Sequence, residues 1–99
     1  MTRTGKSAKK YSLCLYVTGA SARSTAAITS LRSVCEEYLP GRCALRIIDI
    51  HQQPRLARAA KIIAAPTLVR VSPPPERRFT GDMSDIGSVL NALEIERKA

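Results

Sequence analysis

Residues 62–84 read IIAAPTLVRVSPPPERRFTGDMS, and the punctuation of this stretch decides how the chain folds. Pro66 stands directly before the β-branched, apolar run TLVRV. A proline there has no N–H to donate to a sheet ladder, so it belongs at a strand's first position. It also holds Ala65 in extended geometry. An X-Pro bond at a strand start after a helix is a place where a cis peptide marks a tight, specified turn, and Ala65–Pro66 is a candidate. Pro73-Pro74-Pro75 is a stiff break, because each ring fixes φ. Residues 77–80 then read as a short edge strand, Gly81-Asp82 as a turn, and Ser84 as a helix N-cap.

The flanking segments complete an alternation of strands and helices. Residues 11–17 (YSLCLYV) suit a strand covered on both faces. Thr18-Gly19-Ala20 turns the chain, and Ser21 or Ser24 can cap the helix that follows by accepting from a free backbone N–H. Ala27, Ile28, Leu31, Val34, Cys35 and Tyr38 recur at helical spacing, and Pro40-Gly41 ends that helix. Residues 43–50 (CALRIIDI) are a second strand, so strand, helix and strand form a βαβ unit with parallel strands and a right-handed crossover. A connector at 51–54 leads to a short basic helix over 55–63, with Leu56, Ala59, Ala60 and Ile63 available for packing. Ile86, Val89, Leu90 and Leu93 form an i, i+3, i+4, i+7 stripe, predicting a C-terminal amphipathic helix. The order βαβαββα implies an α/β fold, a four-stranded mixed sheet with helices on both faces.

The chain has 99 residues, 44% of them apolar, which suits one domain with one core. It is expected to span residues 11–95, between a basic, disordered tail at 1–10 and a short tail at 96–99. The net charge is +8, but residues 11–95 hold ten basic and seven acidic side chains, so much of the excess lies at the ends. No apolar run approaches the roughly 20 residues that span a bilayer, and no signal peptide is legible; the expected address is the cytoplasm.

The three cysteines, Cys14, Cys35 and Cys43, are odd in number and form no CxxC. With one histidine, they suggest neither a disulfide framework nor a metal site. They read as small apolar side chains in strands or on a helix face. His51 follows Asp49 by two residues, but no nucleophile is placed beside them. Gly19, Gly41 and Gly81 are isolated and build no phosphate cradle. Arg55, Arg58 and Lys61 share one helical face that could meet an acidic partner. The aromatic residues Tyr11, Tyr16, Tyr38 and Phe79 are too few to read single-stranded nucleic acid. Binding of a protein is favoured over catalysis, with no cofactor. The alternatives are an oxidoreductase or transferase with a non-standard nucleophile, which a depressed pKa on Cys14 or Cys35 would favour, and a nucleic-acid module driven by the basic tails.

A proline at the start of the third core strand, in this element order, resembles thioredoxin-like proteins. Redox members carry a dithiol where the first helix begins. Here that place reads Gly19-Ala20-Ser21-Ala22-Arg23-Ser24, without a thiol. The combination of Ala65-Pro66-Thr67-Leu68, Pro73-Pro74-Pro75-Glu76-Arg77-Arg78 and Gly81-Asp82-Met83-Ser84 resembles, more specifically, the KaiB family of circadian-clock proteins. Supporting matches lie at Leu13–Tyr16–Val17–Thr18-Gly19, at Cys43 to Ile50, and at Pro54-Arg55-Leu56-Ala57. The resemblance implies a non-enzymatic partner of a KaiC-type ATPase, in circadian or stress-related signalling, with a histidine kinase or another clock protein as further partners. It implies neither membrane nor nucleic acid as partner and leaves monomer, dimer or tetramer open. Arg46, Lys61, Arg70, Arg77, Arg78 and Asp82 are the partner-contact positions, with Pro66 and Gly81 in structural roles. It also implies two accessible folds, one thioredoxin-like and one with a rearranged C-terminal half. Clock members carry Gly-x-Asp where this chain has Ala92-Leu93-Glu94. Alanine favours helix over glycine by about 1 kcal/mol, and glutamate is a better helix former than aspartate, so the thioredoxin-like state is expected, with one continuous helix over 84–95.

Overall fold

The structure is a computed structural model and describes residues 10–95; the two expected tails, at 1–10 and 96–99, lie outside these residues apart from Lys10. The elements are β1 (Tyr11–Val17), α1 (Ala22–Tyr38), β2 (Cys43–Asp49), α2 (Pro54–Ala59), β3 (Thr67–Ser72), β4 (Arg77–Phe79) and α3 (Ile86–Ala92). The sheet order is β2-β1-β3-β4. β1 and β2 are parallel, while β3 runs antiparallel to both β1 and β4. The expected four-stranded mixed sheet is therefore present.

Alternation along the strands sorts side chains to two faces. Leu13, Leu15 and Val17 of β1 join Leu68 of β3, Leu31 and Val34 of α1, Val89 and Leu90 of α3, and its C-cap Leu93 in the larger core. Cys14 and Tyr16 point the other way and pack with Ile48 and Val69 beneath Leu56, Ala60 and Ile62 around α2. β1 is central and buried at nearly every position, as its unbroken apolar run requires. Full burial of each such leucine contributes roughly 1.5–3 kcal/mol.

Local chemistry sets the element ends. The Ser21 side chain accepts from the Ser24 N–H, capping α1. Buried Ser24 in turn accepts from the Thr18 N–H at 3.0 Å, closing the β1–α1 turn, while Gly19 supplies a φ of +53°. Ala65–Pro66 is cis, as are Ser72–Pro73 and Pro74–Pro75. Apart from one-residue shifts at strand ends, three boundaries differ from expectation. The second helix ends at Ala59 rather than running to residue 63. Asp85, not Ser84, caps α3, accepting from the Ser88 N–H; Ser84 is committed to Asp82, whose carboxylate accepts both its N–H and its hydroxyl. And α3 is not one continuous helix over 84–95. It ends at Ala92, and Glu94 adopts φ +54°, a left-handed conformation in which helix propensity has no bearing. Among the described residues no strand falls within 86–94, so the C-terminal half is in the helical arrangement.

Candidate partner-binding face

Cross-strand register places the basic residues. Arg46 of β2 lies opposite Cys14 of β1, Cys14 opposite Val69 of β3, and Val69 opposite Arg78 of β4. The four form one row across the sheet on its α2 side, with an exposed arginine at each end and two buried apolar residues between. Tyr16 sits one step further along this face, at 8% exposure. Burial raises its phenol pKa to about 12, helped by a hydrogen bond with Cys14 and opposed by the nearby charges of Arg46 and Arg78.

Arg78 is also tied to the end of α2. Its guanidinium donates to the Ala60 carbonyl at 2.5 Å and the Lys61 carbonyl at 3.4 Å, and its Nε donates to Glu76 at 2.8 Å. A cation there opposes the negative end of the helix dipole. Lys61 is exposed and takes φ +57°. Its N–H bonds the Arg58 carbonyl, and the Ile62 N–H bonds the Ala57 carbonyl, the paired pattern of a left-handed helix stop. Beyond this stop Ile63 is 99% exposed, and Val71 on β3 is 54% exposed. Arg46, Lys61 and Arg78 are thus brought to the α2-side surface, and the exposed Ile63 follows Lys61 by two residues. The aliphatic pair was missed in sequence, where Ile63 read as a packing residue of a longer helix.

The remaining expected contact residues lie elsewhere. Arg77 is on the opposite face of β4 and pairs with Glu94 at 3.0 Å. Asp82 is exposed and lines an open cleft of about 450 Å³ with Arg23, Pro66, Gly81, Met83 and Ser84. Hydrogen bonds from Ser84, and more weakly the Arg23 charge, hold its carboxyl below the usual range. Gly81 is required by the Phe79 ring, since a Cβ at residue 81 would stand 2.8 Å from Phe79 Cζ. Arg70 departs from a contact role: it is 4% exposed, and its guanidinium donates to the Leu93 carbonyl at 2.6 Å and the Pro75 carbonyl at 2.8 Å, fastening the end of α3 to the β3–β4 hairpin.

The cleft beside Pro66 and the start of α1 is where thioredoxins place their dithiol, and here it holds no cysteine. Asp49 accepts the backbone N–H of His51 at 2.8 Å, a local turn rather than a dyad with the imidazole. No group of three or more metal-ligating side chains occurs among the described residues, and no helix there is long and apolar enough to cross a membrane.

Comparison with known proteins bears on the fold and the family. In solved structures the chain is similar to the N-terminal domain of Synechococcus elongatus SasA, with TM-score 0.66 at 20% identity, covering 93% of this chain and 90% of that one. It is similar also to chloroplastic thioredoxin z, with TM-score 0.69 at 21% identity, covering 92% and 84%. The fold is thioredoxin-like. In sequence, the chain is 45% identical over 87 residues to the circadian clock oscillator protein KaiB of Prochlorococcus marinus (strain MIT 9312), covering 88% of this chain and 83% of that protein. It is 44% identical to the KaiB of Microcystis aeruginosa (strain NIES-843 / IAM M-2473), covering 88% and 84%. A family model described as the KaiB domain matches residues 14–95, and these relatives are named as clock proteins rather than enzymes. The APTL, PPPxRR and GDxS segments all fall within the matched span, and the chain belongs to the KaiB family.

Proposed function

We propose that this protein binds a KaiC-type ATPase without catalysing a reaction of its own, and that it docks through the α2 side of its sheet. The observation that carries this reading is the row Arg46–Cys14–Val69–Arg78. It sets two guanidinium groups on one rigid face of a KaiB-family fold, with Lys61 and the exposed Ile63 at its margin. Such a surface suits an acidic partner with an apolar recess, in which charge sets the encounter rate and the aliphatic residue holds the complex. Arg77 and Asp82 would contact the partner from neighbouring surfaces, and Arg70 would act from inside by holding α3 in place. A histidine kinase or another clock protein, as the family resemblance implies, is a further class of partner.

The reading is tested by pull-down and titration calorimetry with a KaiC-type ATPase, with and without ATP. The doubly substituted R46E/R78E chain is expected to lose at least tenfold in affinity, with its circular dichroism unchanged. Absence of binding by the unsubstituted chain in either nucleotide condition overturns it.

A further inference from the structure

The chemistry of the thiols lies at the opposite end of the molecule from the Pro66 cleft. Cys14 is 5% exposed, whereas Cys35 and Cys43 are both partly exposed and both free. Cys35 sits near the end of α1 on the side that meets the sheet, and Cys43 is the first residue of β2, an edge strand, on the face that α1 covers. Both pack against the larger core. The connection between them is short and braced, with the Leu39 N–H on the Cys35 carbonyl and the Arg42 N–H on the Leu39 carbonyl. Both side chains face the seam between α1 and the sheet at this end, within interacting reach of one another.

We infer that Cys35 and Cys43 are an oxidisable pair, converted by a peroxide into an intrachain disulfide that staples the end of α1 to the start of the edge strand. Their roles are unequal. The interaction between the two thiols lowers the pKa of Cys43 despite its burial, and the same interaction together with burial raises that of Cys35. Cys43 is therefore the attacking thiolate. Its sulfur displaces hydroxide from the peroxide as the O–O bond breaks, leaving a sulfenic acid. The Cys35 sulfur then attacks that sulfur, the S–O bond breaks, and water leaves. Two thiols and one hydrogen peroxide give one disulfide and two waters. The inference stands independently of the proposed partner.

The test treats the reduced full-length chain with stoichiometric hydrogen peroxide, quenches with acid, and counts thiols after unfolding. The count is expected to fall from three to one, and to return to three with dithiothreitol. Trypsin separates the pair, because Arg32, Arg42 and Arg46 place Cys35 in peptide 33–42 and Cys43 in peptide 43–46. The expected product is these two peptides joined, with Cys14 unmodified in peptide 11–23. In C35S the reaction is expected to stop at a Cys43 sulfenic acid that dimedone traps, and in C43S no adduct is expected at Cys35. Three surviving thiols, a disulfide through Cys14 or between chains, or equal trapping in the two variants would overturn the inference.

Discussion

The ends of α2 and α3 are built to the same plan and placed in opposite environments. At each, a charged residue in the left-handed conformation stops the helix: Lys61 at φ +57° and Glu94 at φ +54°. At each, an isoleucine follows and its N–H reaches back to the last turn, Ile62 to Ala57 and Ile95 to Leu90. Adjacent residues of β4 serve the two ends from the two faces of the sheet, Arg78 at α2 and Arg77 at α3. The α3 stop is buried: Leu93 is 0% and Ile95 5% exposed, and the guanidinium on the Leu93 carbonyl belongs to Arg70, itself 4% exposed. The α2 stop lies at the surface, next to the fully exposed Ile63. One backbone motif thus anchors the C-terminal helix into the core in one case and displays residues to solvent in the other.

That contrast orders the expected effects. Arg70→Met is expected to cost about 3 kcal/mol by chemical denaturation, because it leaves the Leu93 and Pro75 carbonyls without their charged donor inside the protein. Arg78→Ala removes bonds that water replaces at the surface, and about 1 kcal/mol or less is expected. Equal losses in the two variants would erase the distinction between a structural and a displayed helix end. Glycine relieves the left-handed conformation at either stop, so Lys61→Gly is expected to gain up to about 1 kcal/mol in melting experiments. Glu94→Gly should gain less, since it also removes the exposed ion pair with Arg77, a contact of about 0–1 kcal/mol. A larger gain at residue 94 than at 61 would contradict that ordering.

The smallest effect is spectroscopic. Folding favours the neutral Tyr16 phenol, so its contribution to stability is complete below the ordinary tyrosine pKa of 10.0 and is lost as pH rises through about 12. Tyrosinate absorbance should show a late phase near that pH, absent in Tyr16→Phe. Arg78→Ala removes one of the cations that favour the phenolate and should move the phase later still, while Arg77→Ala, on the other face, should leave it in place.

Much of this molecule was legible before its structure. Pro66 before a β-branched run, the uninterrupted apolar β1 and the Ser21 cap are local statements, and each held because the physics behind it acts over a few residues. The missing dithiol at Gly19–Ser24 was equally plain. Alternation alone sends Arg77 and Arg78 to opposite faces, but what each face holds depends on helix ends distant in sequence. The same limit explains Glu94. Its side chain favours a helix, yet the burial of Leu93 and Ile95 and the Arg70 bond to the Leu93 carbonyl accompany a stop there, which overrides propensity.

The sequence by itself determined the order of elements, the family and the lack of a cysteine at residues 19–24, since these follow from residue identity at short spacing. Only the tertiary structure decided which arginines face outward, and that Arg70 is an internal fastener rather than a contact. It alone placed Cys35 and Cys43 against the same core. Those outcomes depend on register across the sheet and on how helices lie over it, and both are set by the shared burial of Leu13, Leu15, Leu68 and Leu93, residues that meet only when the chain has folded.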